Sequence, residues 1–271
     1  MCAAQVVVPE APTPDKLDRY KKQLEKLPAS AVDVLIAGDS LASMWPKTSL
    51  RATFEDCRIT KMSMTGDRIQ NTLWKVRSGD FDRVKPRMIV LIVGTNNLPK
   101  GSPPAIAAAI DAVVGEMIAR WSPEAIFVVG IPPRGPKGTF KTVRRKKTNE
   151  LTGVAVTSRP NVYFCDVDAA LGGDTAAYHS DLVHLSDHGY TLMSIVVKSA
   201  YLEFRSAKVA ADLAEARRTR IATSEKKRDG AAARSGRAFE APSSKEPPAR
   251  HAPPAAPRSF LDRLVYLVLG R

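Results

Sequence analysis

Val32-Asp33-Val34-Leu35-Ile36-Ala37-Gly38-Asp39-Ser40-Leu41 opens as an apolar run rich in β-branched residues and closes on three turn formers. Such a run reads as a buried parallel strand. Gly38 ends it, and Leu41 to Trp45 follow as a short helical segment. In an open α/β sheet, ligands gather beyond the carboxyl ends of the strands, so Ser40 stands where a nucleophile is of use. Its backbone N–H, at a helix start, can face a developing anion. The same residues also suit a plain N-cap serine, which this stretch by itself favours; the rest of the chain reverses that preference.

The rest of the chain repeats the strand–helix alternation. Further strands are expected at Cys57 to Met64, Met88 to Val93, Ala125 to Val129 and Val162 to Cys165. Helices are expected from Thr13-Pro14 to near Pro28, then over Asp67 to Arg77, Pro103 to Trp121, Thr142 to Val156, and from Ser186 past Tyr201. Five alternations predict a doubly wound, five-stranded parallel sheet with helices on both faces. Three strand ends carry glycine with polar residues: Gly38-Asp39-Ser40, Gly66-Asp67 and Gly94-Thr95-Asn96. No Gly-x-Gly-x-x-Gly follows the first strand and there is no Walker loop, so no nucleotide cofactor is expected.

The 271 residues are 44% hydrophobic, enough for a substantial core, and no apolar run is long enough for a transmembrane span. The first residues lack a basic region and a long apolar stretch, so a secretory signal is not expected. Three scattered cysteines, Cys2, Cys57 and Cys165, fit free thiols rather than a metal site or a disulfide framework, and a cytoplasmic location. Of the net charge of +13, +8 falls between Phe204 and Arg271. Residues 1–12 are expected to be disordered, the folded domain to span 13–206, and 207–257 to form a basic extension and linker whose first part, to about Lys227, prolongs the last helix and whose remainder is disordered. That tail has no interleaved aromatics, so it reads as an electrostatic tether and not as a specific nucleic-acid reader. Residues 258–271 return to an apolar pattern too short to span a bilayer. They suit docking on a protein partner or on the chain itself, or lying on the inner membrane surface.

A serine hydroxyl becomes a nucleophile when a base, most often histidine, removes its proton and a carboxylate orients that base. Among four histidines, His184 follows Asp181 by three residues in Asp181-Leu182-Val183-His184, just before the last helix. That spacing lets the carboxylate reach the imidazole within one turn. His188 falls in the first helical turn and reads as structural.

Together, Gly38-Asp39-Ser40-Leu41, Gly66, Gly94-Thr95-Asn96 and Asp181-Leu182-Val183-His184 resemble the four blocks of the SGNH/GDSL hydrolase superfamily, across about residues 30 to 205. Within it, Leu73-Trp74-Lys75-Val76, Val93-Gly94-Thr95-Asn96-Asn97 and Ile131-Pro132-Pro133-Arg134-Gly135 look like the platelet-activating-factor acetylhydrolase catalytic subunits and their bacterial relatives. The resemblance implies a flavodoxin-like three-layer fold. It implies Ser40 as nucleophile, His184 as base and then acid, Asp181 as orienter, and an oxyanion hole from the Ser40 and Gly66 N–H groups and the Asn96 amide. It implies ester hydrolysis with no metal or cofactor, on a small acylated substrate such as an acetylated glycan or lipid. An acyltransferase with the same triad and a scaffold acting through the tail are the alternatives. Asp39, Asn97 and Arg134 are the candidate substrate contacts. The chain departs from the family at Lys61 and Ser63, where asparagine and glycine are usual, and at Asn97, a place often held by aspartate. The basic run Arg144-Arg145-Lys146-Lys147 reads by default as a solvated helix face, or as a site for an anionic substrate.

Overall fold

The computed structural model describes residues 7–235. Five strands, β1 (Val34–Gly38), β2 (Ile59–Ser63), β3 (Met88–Ile92), β4 (Ala125–Val129) and β5 (Val162–Cys165), form one sheet in the order β2-β1-β3-β4-β5. Every pairing is parallel, and the register sets Gly38 between Ser63 and Ile92. The strand order reverses at β1 and β3, which opens a crevice at their carboxyl ends.

Strand side chains alternate between two cores. Leu35, Ala37, Ile89, Leu91, Ile126 and Val128 face α1 (Pro14–Glu25), α4 (Ile69–Ser78), α5 (Pro103–Trp121) and α6 (Thr142–Thr157). Val34, Ile36, Val90, Ile92, Phe127 and Val129 face α2 (Ser40–Met44), α3 (Lys47–Thr53), α7 (Asp168–Leu171) and α8 (Asp187–Ser235). Because both faces are covered, β1, β3 and β4 are buried along their whole length, and their sequences read as unbroken apolar runs. The chain divides into two units after Glu215, and the described residues of the second are the helical ones up to Ser235.

The predicted strands and main helices are present to within a few residues at each end. The sequence reading missed α3 and α7, both too short to carry a periodic signal. Residues 7–12, expected to be disordered, lie against the fold. The Glu10 N–H donates to the Gln70 carbonyl at 3.1 Å, Asn71 Nδ2 donates to the Glu10 carbonyl at 3.0 Å, and Val7 packs on the core. The apolar segment 258–271 and Cys2 lie outside the described residues. Cys57 and Cys165 form no disulfide, and burial pushes the Cys165 thiol up to about 12. Among the described residues, no helix is long and apolar enough to cross a membrane.

Candidate active site

β1 delivers the serine through a backbone that only glycine can adopt. Gly38 has φ +137°, and a Cβ there would lie 1.8 Å from the Ile92 carbonyl oxygen of β3. The chain thus turns against its neighbouring strand and enters α2 at once. Asp39 caps that helix, its Oδ1 accepting the Leu41 N–H at 2.9 Å. Ser40 is the first residue of α2, so its own N–H has no acceptor within the helix. Lys61, the departure on β2, donates to the Ser43 and Trp45 carbonyls at 2.7 and 2.8 Å and caps the other end of α2. Burial, aided by Lys47, pushes its ammonium down to about 8. α8 also grips this helix: Tyr190 Oη donates to the Leu41 carbonyl at 2.9 Å, and Trp45 Nε1 donates to Ser194 Oγ at 3.1 Å.

The imidazole comes from the loop before α8. His184 Nε2 lies 2.9 Å from Ser40 Oγ, and its Nδ1 lies 2.6 Å from Asp181 Oδ2. In the neutral ring, a carboxylate on Nδ1 holds the proton there and leaves Nε2 free to accept from the serine hydroxyl. Asp181 Oδ1 also accepts the N–H groups of Val183 and His184 at 2.9 and 3.0 Å. Burial opposes its ionisation, but the hydrogen bonds from His184 and Val183 outweigh that and hold the carboxyl well below its usual range. The loop is a closed hairpin. Tyr178 and Leu185 form an antiparallel bridge, and the His179 N–H donates to the His184 carbonyl at 2.9 Å. Leu182 sits at φ +54°, and its carbonyl accepts the Gly135 N–H at 2.7 Å, which ties this loop to the one after β4. His188 pairs with Asp174 at 2.8 Å, the structural part expected for it.

The two other blocks meet beside this pair. Gly66, at φ +78°, lies in a turn closed by the Asp67 N–H on the Met64 carbonyl, and the Met64 N–H donates to the Gly38 carbonyl. Asn96 Nδ2 donates to the Asp67 carbonyl at 2.8 Å, which anchors the amide next to the Gly66 turn and leaves its second N–H for another acceptor. Asp67 itself is buried against Lys75 Nζ at 2.5 Å, with Lys16 Nζ at 3.8 Å. Burial raises the Asp67 carboxyl and lowers the Lys75 ammonium, in each case against the pull of the partner. Both residues stand in stretches singled out from the sequence, Gly66-Asp67 and Leu73-Trp74-Lys75-Val76, but nothing local pairs one with the other.

The expected substrate contacts divide. Asp39 is fully buried, so it cannot touch a substrate. Its Oδ2 has no hydrogen-bond partner, and burial, with Asp67 nearby, raises the carboxyl to about 7 against the pull of the Leu41 N–H and Arg134. Asn97, half-buried, is tied to α4: Oδ1 accepts the Ile69 N–H at 3.0 Å at the helix entry, and Nδ2 donates to Gln70 Oε1 at 2.9 Å. Arg134 alone stays at the site. It donates to the Thr95 carbonyl and hydroxyl at 3.1 Å, lies 4.6 Å above the Phe140 ring, and is held down by burial with Asp39 and Asp181 as opposing charges. The basic run on α6 is not a uniform solvated face. Arg145 is buried, pairs through both guanidinium nitrogens with Asp168, and donates to the Ile131 carbonyl. Asn149, one turn on, accepts the Ile131 N–H and donates to the Ile131 carbonyl, so α6 fixes the start of the Arg134 loop.

The chain is similar to proteins of known name and structure. The platelet-activating factor acetylhydrolase IB subunit alpha2 of Gallus gallus is 32% identical over 164 residues, covering 58% of this chain and 71% of that protein. A Bacteroides fragilis protein assigned as an acylhydrolase shares the fold with a TM-score of 0.56 at 18% identity, over 71% of this chain and 98% of its own. A carbohydrate esterase family 3 protein from Talaromyces cellulolyticus superposes with a TM-score of 0.52 at 14% identity, over 64% and 99%. The model of the GDSL-like lipase/acylhydrolase family matches residues 29–192, from just before β1 into α8, and the chain belongs to that family of hydrolases.

Proposed function

We propose that this protein is a serine esterase that removes a short acyl group, acetyl foremost, from an oxygen ester of a carbohydrate or lipid. The observation that carries the reading is the unbroken relay from Ser40 Oγ to His184 Nε2 at 2.9 Å and from His184 Nδ1 to Asp181 at 2.6 Å. In the first half-reaction Ser40 Oγ bonds to the acyl carbon while His184 Nε2 takes the hydroxyl proton, and the Asp181 carboxylate stabilises the imidazolium. The oxyanion lies among the Ser40 N–H, the Gly66 N–H and the free N–H of Asn96. As the tetrahedral intermediate collapses, the alcohol leaves with the proton from His184. Water, deprotonated by the same imidazole, then cleaves the acyl-enzyme and releases the acid. No step calls for a metal or cofactor.

A short acyl group is favoured by the names of the similar proteins, an acetylhydrolase subunit and a carbohydrate esterase. The test is turnover of para-nitrophenyl acetate against the octanoate, followed by acetate release from acetylated glycans and acetylated short-chain lipids. Acetate ester hydrolysis should exceed octanoate hydrolysis and fall by roughly 10⁶-fold in Ser40→Ala. Turnover that survives Ser40→Ala would sink the reading.

A further inference from the structure

Ile195, Leu202, Val209 and Leu213 stand out from α8 with 62, 51, 54 and 66% of their area exposed. A single exposed apolar residue needs no explanation, but these four are spaced by seven, seven and four residues. The opposite side of the helix, Met193, Val197, Tyr201 and Phe204, is buried on the sheet. Counted in heptads, Ile195, Leu202 and Val209 occupy one seam position, while Ser199, Ser206 and Leu213 occupy the other. The seam from Ile195 to Leu213 belongs to the first unit of the chain. It spans about 27 Å of helix.

We infer that this stripe pairs with the same stripe of a second copy, as a parallel two-stranded coiled coil with the two sheets on its outer sides. The flanking charges select both occupant and direction. Within the seam, Lys198 and Arg205 lie along one flank; Glu203 and Ala210 lie along the other. In a parallel, in-register pair, each residue of the first flank meets the residue five further along on the second copy. Lys198 then faces Glu203, of opposite charge, and Arg205 faces the neutral Ala210. No like charges meet between the two flanks. On its own chain Lys198 donates to the Ala52 carbonyl at 2.8 Å and to Glu55 at 2.9 Å. Serine at two seam positions makes the association concentration-dependent.

Sedimentation velocity on the full chain over a concentration series tests the proposal. The wild type should pass from monomer to dimer. Leu202→Glu with Val209→Glu should stay monomeric, with unchanged circular dichroism and unchanged ester turnover. In a separate variant, Val209→Cys should form a symmetric disulfide on mild oxidation, identified as the linked peptide by mass spectrometry, whereas Ala211→Cys, off the seam, should not. A wild type that is monomeric at every concentration, or a dimer that survives the double substitution, overturns the proposal. A dimer without the symmetric link overturns the parallel register. A monomer that dimerises only once residues 258–271 are removed assigns the stripe to that segment and also overturns it.

Discussion

Asp39 follows the end of β1 and Asn96 the end of β3, and they act in different ways. Asn96 contributes a neutral amide whose second N–H stays available once the first is committed to the Asp67 carbonyl. Asn96→Ala should therefore lower kcat by about 10²–10³-fold with little change in KM, the pattern of a donor engaged only in the transition state. A rise in KM at constant kcat would instead make it a ground-state contact. Asp39 is a buried carboxyl whose folded-state value, about 7, exceeds its ordinary 3.8. The folded chain holds that proton more tightly than the unfolded chain does. This group's contribution to stability therefore falls as pH rises from about 4 to about 7, and then levels off. Asp39→Asn keeps an acceptor for the Leu41 N–H but removes the titration. Urea denaturation should show the variant gaining on wild type across that window, by at most about 1.4 kcal/mol per pH unit. Two curves that run parallel would contradict the assignment.

At the level of elements, the site depends on a few ties that bring three strand ends and one hairpin to a single rim. α8 holds α2 through Tyr190 and Trp45, and Leu182 joins the histidine hairpin to the loop after β4. The Lys75–Asp67 pair fastens α4 to the Gly66 turn. Removing one partner of a buried pair strands the other charge, so Lys75→Met should cost about 3–5 kcal/mol in urea denaturation. It should also lower kcat, because Asp67 carries the carbonyl that holds Asn96. A loss below 1 kcal/mol, with normal turnover, would show that the turn stands without the pair. These ties explain why the four sequence blocks were legible while their supports were not. Strand ends and turn glycines are local features of the chain. Lys75 stands inside the Leu73-Trp74-Lys75-Val76 stretch and Arg145 inside a basic run, yet neither stretch names the carboxylate it meets until the packed structure buries them.

For the molecule as a whole, the main question is what covers the exposed stripe of α8. If two copies associate, mass action favours the folded dimer, and Tm rises with protein concentration. Calorimetry of the wild type should show that rise, and the Leu202→Glu, Val209→Glu protein should give a constant Tm. The distribution of charge bears on the same surface. More than half of the +13 excess lies, in sequence, at and beyond Phe204.

The parallel sheet, the number of its strands, and the four blocks that bear Ser40, Gly66, Asn96, Asp181 and His184 could be read from residue order. Apolar runs, turn glycines and short motifs act within a few residues of themselves, and parallel strands must alternate with helices. Packing settled the rest: that Asp39 is sealed away from any ligand, that Asn97 serves the start of α4, that Arg145 turns inward to Ile131, and that residues 7–12 lie along α4. Each of these depends on partners up to about 60 residues distant in the chain, and on whether water is excluded between them. No local pattern carries that information, because burial and pairing at such separations exist only once the layers have closed.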